Sequence, residues 1–480
     1  MSLLSDLAFE TSVVARSLAD FLSGGALRLG VTGLSKAGKT VFITALIENL
    51  IAGAKLPVLR ASAEGRIARV HLEPQPDDAV PRFAYEEHLA ALSGPDRRWP
   101  QSTRRISQLR LTIEFERAAS WGSRASALTL DIVDYPGEWL LDLPLLDKSY
   151  AQWSRETIEA SEAKARAPFA APWRAFLAGL DPAAKAEEET ARAAAELFTA
   201  YLRDARDDTH ALSCLPPGRF LMPGDLEGSP ALTFAPLPLN EERGIAPRSL
   251  AAMMERRYEA YKTYVARPFF RDCFARLDRQ IVLVDALRAL NSGPAALRDL
   301  EIALSEVMRS FRAGRASRLA SIFRPRVDRM LFAATKADHL HHVSHDRLEA
   351  ILRVLTARAI ARAEGVGAAI DVIALSAVRA TREAEMRHGS ETLAAIVGAP
   401  EAGERIGGHV FDGLAEAAVF PGELPEDPAA VFAGDSLALP EADADWRFVR
   451  FRPPARALGA PAPHIRLDRA LQFLIGDKLA

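Results

Sequence analysis

The feature that most constrains the fold of this 480-residue chain is a glycine-rich turn between two apolar segments. Residues 33–40 read Gly-Leu-Ser-Lys-Ala-Gly-Lys-Thr; they follow the strand-like run 26–32 and precede residues 41–51, whose apolar positions have helical spacing. In the pattern G-x-x-x-x-G-K-S/T, successive backbone N–H groups point at phosphate oxygens, and the helix N-terminus adds a positive dipole. We therefore expect a strand–loop–helix unit that binds phosphate groups.

This loop supplies seven candidate nucleotide-binding residues. Lys39 is also a candidate for catalysis, because its compact ammonium reaches the β- and γ-phosphates, and the Thr40 hydroxyl is a candidate Mg²⁺ ligand. Only nine of the 60 basic residues are lysines, so a lysine at position 39 is unusual for this chain. It indicates a phosphate-binding role, because arginine is a poor substitute at such a position. The seven candidates are Ser35, Lys36, Ala37, Gly38, Lys39, Thr40 and Val41.

The bulk composition argues against several classes of function. A net charge of −3 gives no basic field for sequence-independent nucleic-acid binding, so we expect no nucleic-acid partner. Apolar runs are too short for a membrane-spanning helix. The two cysteines, Cys214 and Cys273, fit a reducing compartment. We expect a cytoplasmic protein, and peripheral attachment to the inner membrane through a protein partner stays open as an alternative.

Five runs predict the strands of a sheet. Apolar and polar residues alternate along 109–115, and a second strand-like run at 128–133 follows a short connection, which favours an antiparallel hairpin. Continuous apolar runs at 280–284, 329–334 and 369–375 are typical of buried parallel strands. We predict an α/β fold of the P-loop NTPase, GTPase-like type. Its sheet is mostly parallel with one antiparallel hairpin strand, and it carries a large helical insertion and a small irregular C-terminal insert.

Composition also divides the chain into segments. Residues 53–107, after the first helix, are expected to form a long connection rich in Pro, Arg and His. We expect the first part of the GTPase core at 1–144, a mostly helical insert at 145–276, the second part of the core at 277–394, an irregular acidic insert at 395–455 and a closing C-terminal helix at 456–480.

A phosphate-sensing loop is predicted directly after the second hairpin strand. Asp134-Tyr-Pro-Gly137 fits D-x-x-G, in which the Asp holds a Mg²⁺-bound water and the Gly N–H contacts the γ-phosphate. Upstream, the Thr103 hydroxyl is a candidate Mg²⁺ ligand, and Arg104 or Arg105 would neutralise transition-state charge. A capped loop end with solvated arginines is an equally good interpretation of that segment. The candidate metal ligands are therefore Thr40, Thr103 and Asp134.

Glu138 follows this loop at a position where many GTPases carry a water-orienting glutamine. A carboxylate facing a γ-phosphate repels it unless Mg²⁺ or an arginine compensates the charge. We therefore take Glu138 as a catalytic candidate with two possible roles, one that positions water and one in which it swings out as a switch residue.

Two later loops favour guanine over adenine. Thr335-Lys-Ala-Asp338 is a variant of N-K-x-D: Asp338 would accept two hydrogen bonds from guanine, and the aliphatic stem of Lys336 would lie over the base. Adenine has no such pair of donors, so a buried carboxylate would reject it. Both loops follow strands, as ligand-binding loops of open α/β sheets do. The nucleotide-binding candidates in these two loops are Thr335, Lys336, Asp338, Ser376, Ala377 and Val378, and Gly137 of the D-x-x-G loop is a further one.

Polar residues beside these loops have plainer interpretations. Four of the ten histidines, at 339, 341, 342 and 345, lie within seven residues and resemble a metal site. A polar entry to the helix predicted at 345–364 is the better interpretation. Asp285 ends a strand at the same edge of the sheet, and we expect it to cap a helix or turn.

Seven stretches carry a family resemblance: residues 33–40, 134–140, the proline-rich 217–228, 283–285, 290–291, 335–338 and 451–454. Together they resemble the YcjX-like family of bacterial P-loop GTP-binding proteins, a stress-associated group. The resemblance covers essentially the whole chain. It implies a GTPase-like core with a helical insert, and binding of guanine nucleotide with Mg²⁺.

These observations leave two main functions open. The first is a slow, Mg²⁺-dependent GTPase that hydrolyses GTP to GDP and phosphate and acts as a nucleotide-dependent switch in a bacterial stress-related process, with a protein partner still to be identified. The second is a non-hydrolytic scaffold that is ordered by bound GTP or GDP; the glutamate at position 138 keeps it open. An ATPase is a third, weaker option.

Overall fold

The computed structural model describes residues 25–480, apart from positions 35, 76, 102, 104, 118–123, 208–209, 240–243, 273–275, 310–326, 366, 407 and 434–446. Two of the predicted site residues, Ser35 and Arg104, therefore lie outside the described residues, as does Cys273. Within the described part, none of the helices has the length and apolar character needed to cross a lipid bilayer.

The centre of the molecule is a seven-stranded sheet with the order β2-β3-β4-β1-β5-β6-β7. Strand β3 is antiparallel to both of its neighbours, and β4, β1, β5, β6 and β7 are mutually parallel. The predicted fold class, a mostly parallel sheet with one antiparallel hairpin strand, is therefore confirmed. The strands are β1 (Leu27–Gly33), β2 (Ile67–Glu73), β3 (Ser107–Arg117), β4 (Arg124–Asp134), β5 (Arg279–Val284), β6 (Arg329–Ala334) and β7 (Ala369–Ala374).

Two apolar layers cover the sheet because successive side chains of a strand point to opposite faces. On β5, Ile281 and Leu283 join one layer, and Val282 and Val284 join the other. The first layer is completed by α1 (Lys39–Ile51) and α13 (Leu467–Ile475), together with the short α2 (Arg60–Ala63) and α3 (Tyr85–Leu92). The second is completed by α10 (Ala286–Asn291), α11 (Pro294–Arg309) and α12 (His345–Glu364).

Between β4 and β5 the chain leaves the sheet and builds a helical region with an aromatic core. A 3₁₀ segment, Gly137–Asp147, leads into it. Trp153 stacks on Tyr258 with ring centroids 5.0 Å apart, and Trp173 and Phe198 are buried in the same cluster. The helices are α4 (Tyr150–Ser161), α5 (Ala167–Ala178), α6 (Glu188–Arg206), α7 (Gly218–Leu221), α8 (Leu250–Tyr261), a π-helix (Lys262–Ala266) and α9 (Arg267–Asp272). We call this region the helical insert.

Three β elements were not predicted from the sequence. Strand β2 lies within the segment 53–107, which we expected to be a connection, and it pairs with β3 at the edge of the sheet. Towards the C-terminus, β8 (Arg382–His388), β9 (Glu391–Gly398) and β12 (Ala417–Val419) form a second, antiparallel sheet, and β10 (Arg405–Ile406) pairs with β11 (His409–Val410). The division of the chain into domains stays a prediction.

Candidate nucleotide and metal site

The glycine-rich loop runs from the end of β1 to the start of α1, as its pattern predicts. Gly38 is the N-cap of α1 with φ 83°, a left-handed conformation that glycine adopts without strain. Gly33 has no room for a side chain, because a Cβ there would lie 2.5 Å from the carbonyl oxygen of Leu283 on β5. Lys39 is buried, and its Nζ donates to the carbonyl oxygen of Gly33 at 3.3 Å. The ammonium is therefore held over the loop that is expected to surround phosphate.

The structure brings the three predicted metal ligands together, although they come from three separate segments. The Thr103 hydroxyl donates to Asp134 Oδ2 at 2.6 Å, and Thr40 Oγ1 lies 3.2 Å from Thr103 Oγ1. The β1–β4 register explains part of this arrangement, because it places Asp134 beside Val31, two residues before the glycine-rich loop. Two hydroxyls and one carboxylate are the hard oxygen ligands that Mg²⁺ prefers.

Asp134 has an incomplete set of partners. Its carboxylate is only 1% exposed, and its Oδ1 atom has no hydrogen-bond partner among the described residues. Burial raises the pKa of Asp134 to about 6, while the Lys39 ammonium, the Thr103 hydroxyl and the backbone N–H of Tyr135 act in the opposite direction. A buried carboxylate oxygen without a donor is costly, so a cation or its bound water fits this position.

The predicted phosphate-sensing loop lies directly against the glycine-rich loop. A Cβ on Gly137 would be 1.8 Å from the carbonyl oxygen of Gly33 and 3.1 Å from the Cα of Leu34. Only glycine permits this approach of two backbones. The next residue, Glu138, is buried, and its Oε1 accepts a hydrogen bond from Arg206 at 3.1 Å. Arg206 belongs to α6 of the helical insert, and the sequence analysis missed it.

The predicted base-recognition loops contact each other. Asp338 is buried; its Oδ2 accepts from the backbone N–H of Ala380 at 2.8 Å, and its carbonyl oxygen accepts from the Thr381 hydroxyl. Ser376 Oγ donates to the carbonyl oxygen of Val378 at 3.0 Å, which closes the second loop. Segments 335–338 and 376–381 therefore form one unit at the C-terminal ends of β6 and β7.

Lys336 and Asp285 form an ion pair at this end of the site, with 2.5 Å between Nζ and Oδ2. Asp285 Oδ1 also accepts from the backbone N–H of Arg288, so Asp285 is the N-cap of α10, as expected. The Thr335 hydroxyl is turned to the carbonyl oxygen of Val284 at 3.4 Å. The expected position of the Lys336 stem over a base stays a prediction.

One apolar cluster links the two ends of the site. Val378 is buried with Ala45 of α1 and Ala462, and Val41 and Ala377 pack against them. The last predicted base loop is thereby attached to the helix that follows the phosphate loop. Lys36 lies exposed at the tip of that loop with φ 60°, and Ala37 is buried beneath it.

Comparison with known proteins assigns the family. The model of the YcjX-like family, DUF463, matches residues 27–479. The chain belongs to the YcjX-like family. A protein of Escherichia coli K12 named Ras-like GTPase YcjX is 40% identical over 465 residues, which cover 94% of this chain and 96% of the relative. A protein of Shewanella oneidensis with the same name is 35% identical over 482 residues, which cover 94% of each chain.

The proline-rich stretch that carried part of the resemblance packs on the phosphate-sensing loop. A Cβ on Gly218 would lie 1.7 Å from the carbonyl oxygen of Glu138, and the Gly218 N–H donates to Asp142 Oδ1 at 2.7 Å. Trp139 donates through Nε1 to the carbonyl oxygen of Met222 at 2.9 Å. In this YcjX-like chain, the segment after Gly137 is thus held by the helical insert, a contact that no local pattern predicts.

Charged groups complete this junction. The guanidinium carbon of Arg219 lies 3.1 Å from the ring centroid of Trp139. Burial raises the pKa of Asp142 to about 7, and Arg219 and the Gly218 N–H oppose that shift. The junction between core and insert therefore combines aromatic, cationic and buried acidic groups within the segments 138–142 and 218–222.

The histidine cluster divides into two parts. His339 and His345 are buried, and burial lowers the pKa of both. His341 and His342 lie with Glu383 in a group whose potential ligand atoms are within 4.8 Å of one another. However, Glu383 already bonds His342 at 2.8 Å, and Arg379 lies 3.7 Å from it. This arrangement is typical of an exposed polar cluster.

Proposed function

We propose that this chain is a slow, Mg²⁺-dependent GTPase that acts as a nucleotide-dependent switch. The observation that carries the proposal is the set of oxygens formed by Thr40, Thr103 and Asp134, in which one carboxylate oxygen has no donor among the residues that the structure describes. This set lies where a phosphate-binding loop meets the end of β4. The names of the two relatives support GTP as the substrate.

The chain's own residues would divide the work as follows. Backbone N–H groups of the glycine-rich loop and the Lys39 ammonium would hold the β- and γ-phosphates. Asp338 would read guanine with the carboxylate oxygen that is not bonded to Ala380. Thr40, Thr103 and Asp134 would hold Mg²⁺, which supplies neutralisation of the charge that develops on the phosphates. Glu138 would orient the attacking water that converts GTP to GDP and phosphate.

The slow rate follows from the residue at position 138. A carboxylate next to the γ-phosphate works against the approach of further negative charge, whereas the glutamine of many GTPases does not. The same observation keeps the non-hydrolytic scaffold as the second candidate function. ATP is the weaker substrate, because Asp338 would face no donor pair on adenine.

The switch would operate through the junction with the helical insert. A γ-phosphate held by the Gly137 N–H would order the loop, and its loss would release the segments packed against it. A bacterial stress-related role, a protein partner that reads the insert, and a cytoplasmic location with attachment to the inner membrane through that partner complete the proposal.

Phosphate release from the purified protein tests the proposal most directly. GTP and ATP are compared with Mg²⁺ and with EDTA, and Lys39→Ala serves as the control for contaminating activity. We expect GTP hydrolysis that requires Mg²⁺ and exceeds both ATP hydrolysis and the variant's rate. Nucleotide binding without phosphate release above the Lys39→Ala background would favour the scaffold, and equal rates with ATP would contradict the guanine assignment.

A further inference from the structure

Arg206 of the helical insert bonds the side chain of Glu138, the residue after the D-x-x-G glycine. It lies in the last turn of α6, and its Nη1 atom donates to Glu138 Oε1 at 3.1 Å. The Glu138 side chain is 7% exposed and that of Arg206 is 27% exposed. The pair therefore joins a nearly buried carboxylate to a partly buried guanidinium. The two residues are 68 positions apart along the sequence.

The backbone of Arg206 is itself fixed to the core. Arg288 of α10 donates through Nη2 to the carbonyl oxygen of Arg206 at 3.0 Å. A few residues further on, Asp299 of α11 accepts from the backbone N–H groups of Ser213 and Cys214 at 2.5 and 2.7 Å. Both ends of this connection are thus anchored to helices that pack on the sheet. Because the backbone at Arg206 is fixed in this way, its guanidinium reaches Glu138 from a fixed position, as a preorganised electrostatic contact requires.

Glu138 needs such a partner because of where it lies. Gly137, its neighbour, touches the backbone of Gly33 and Leu34 in the phosphate-binding loop. A carboxylate that is 7% exposed and one residue away from that contact repels a γ-phosphate strongly when no cation faces it. GDP lacks the γ-phosphate and is much less affected.

We infer that Arg206 is a positioning residue supplied by the helical insert: by pairing with Glu138, it cancels the repulsion between this carboxylate and the γ-phosphate and fixes the carboxylate's orientation. This inference rests on the proposed function and deepens it, since it makes the insert a part of the nucleotide site. Binding of a γ-phosphate and docking of the end of α6 are thereby linked. A partner that displaces α6 would lower the affinity for GTP without touching the nucleotide.

Four variants and one control test the inference by binding, which does not depend on hydrolysis. Affinities for GDP and for a non-hydrolysable GTP analogue with Mg²⁺ are measured by titration calorimetry for wild type, Arg206→Ala, Arg206→Lys, Glu138→Gln, and Arg206→Ala combined with Glu138→Gln. Arg203→Ala, one turn earlier on the same helix and exposed, removes the same charge away from Glu138 and is the matched control.

We expect Arg206→Ala to lower the affinity for the GTP analogue roughly tenfold relative to the affinity for GDP. Arg206→Lys should restore most of the lost affinity, and Arg203→Ala should change neither affinity. In the Glu138→Gln background, Arg206→Ala should have no effect on the ratio, because the repulsive carboxylate is gone. An equal loss for both nucleotides, or a loss that persists with Glu138→Gln, would mean a purely structural role and overturn the inference alone. Binding of neither nucleotide by wild type would end the proposed function and the inference together.

Discussion

The candidate site has a phosphate end, formed by Lys39, Thr40, Thr103 and Asp134, and a base end, formed by segments 335–338 and 376–381. The two ends differ in how many of their buried polar groups have hydrogen-bond partners within the chain. At the phosphate end, one buried carboxylate oxygen of Asp134 has no donor within the described part of the chain, and the hydrogen bond from Lys39 Nζ to the carbonyl oxygen of Gly33 is long, at 3.3 Å. At the base end, Asp338 is bonded to Ala380, and Lys336 is paired with Asp285. We therefore expect a ligand to complete the phosphate end, whereas contacts within the protein hold the base end in shape.

This difference follows from what each end has to recognise. Phosphates and Mg²⁺ carry full charges, so groups that bind them must be desolvated and left without strong internal partners, at a cost to stability. A base is neutral and is distinguished by the positions of its donors and acceptors, which requires a rigid frame. We expect substitutions that remove a charge at the phosphate end to lower nucleotide affinity without lowering the stability of the fold. We expect substitutions at the base end to change the preference between bases.

The largest effect is expected at Lys39. Lys39→Ala removes a buried ammonium whose charge is directed at phosphate, so GTP affinity should fall roughly 100-fold or more. The fold should persist, because the lysine makes one long bond to a carbonyl oxygen. GTP affinity is measured by calorimetric titration and the fold by circular dichroism, for wild type, Lys39→Ala and the control Lys55→Ala. Lys55 is an exposed lysine beyond α1. Unchanged GTP affinity in Lys39→Ala would contradict the assignment of the phosphate end.

A smaller effect, on specificity, is expected at Asp338. In Asp338→Asn, the amide oxygen can still accept from the backbone N–H of Ala380, so the loop keeps its frame. The amide N–H₂ then faces a base that offers a carbonyl, as xanthine does in place of the guanine amino group. The preference for GTP over XTP should fall by roughly tenfold to a hundredfold.

Competition of GTP, XTP and ATP for wild type and Asp338→Asn measures this change. GDP and XDP serve as a second pair, because the base effect must be independent of the γ-phosphate. Equal affinity of the wild type for ATP and GTP would remove the guanine assignment of the base end.

The third effect concerns stability and its dependence on pH. Folding raises the pKa of Asp134 from 3.8 to about 6, so this group stabilises the fold below pH 4 and that contribution is lost as the pH rises through 6. Asp134→Asn removes the buried charge. Without Mg²⁺ at pH 8, the variant should be more stable than wild type by roughly 2–3 kcal/mol, and the difference should vanish near pH 4.

Thermal unfolding with and without Mg²⁺ checks this expectation. Added Mg²⁺ should raise the melting temperature of wild type and not that of Asp134→Asn, because the metal supplies the missing partner of Oδ1. Asp96→Asn, at an exposed aspartate, is the control for removal of one charge. A variant that is less stable than wild type at pH 8 would show that Asp134 is a structural acid.

Local patterns predicted the elements that carry the two ends of the site. Strand β6 and helix α12 have the bounds that the sequence indicated, 329–334 and 345–364, because a buried apolar run and a long helical period are unambiguous. Motifs at the ends of β1, β4 and β6 then placed Thr40, Asp134 and Asp338, since parallel strands present their C-terminal ends at one edge.

Elements that depend on distant partners were missed. Strand β2 is half exposed and owes its conformation to pairing with β3. In β8, Ala384 and Met386 alternate with charged residues and are themselves partly exposed, so the apolar signal is weak. Arg206 and Gly218 contact Glu138 although both are distant from it in sequence, and their neighbours in sequence contain no hint of that contact. What could have drawn attention to Gly218 is its place in the proline-rich stretch, which no general nucleotide-binding motif explains.

The smallest expected effect, a change in local protection, separates the two ends most sharply. Hydrogen exchange is measured on the GDP form and on the form with a non-hydrolysable GTP analogue. Both ligands carry guanine, so segments 335–338 and 376–381 should be protected equally. The γ-phosphate would contact the phosphate end, so protection should rise with the analogue in 98–107 and 134–145 and, through the contact of Gly218 with Glu138, in 218–222. The change in the insert can be no larger than the difference in affinity of the two states for the two ligands.

Gly218→Ala places a Cβ against the Glu138 carbonyl and should abolish the change in protection in 218–222 while leaving the change at the phosphate-binding loop. If the wild type differs only in that loop, the insert does not report the nucleotide, and the static scaffold is the better description of this chain.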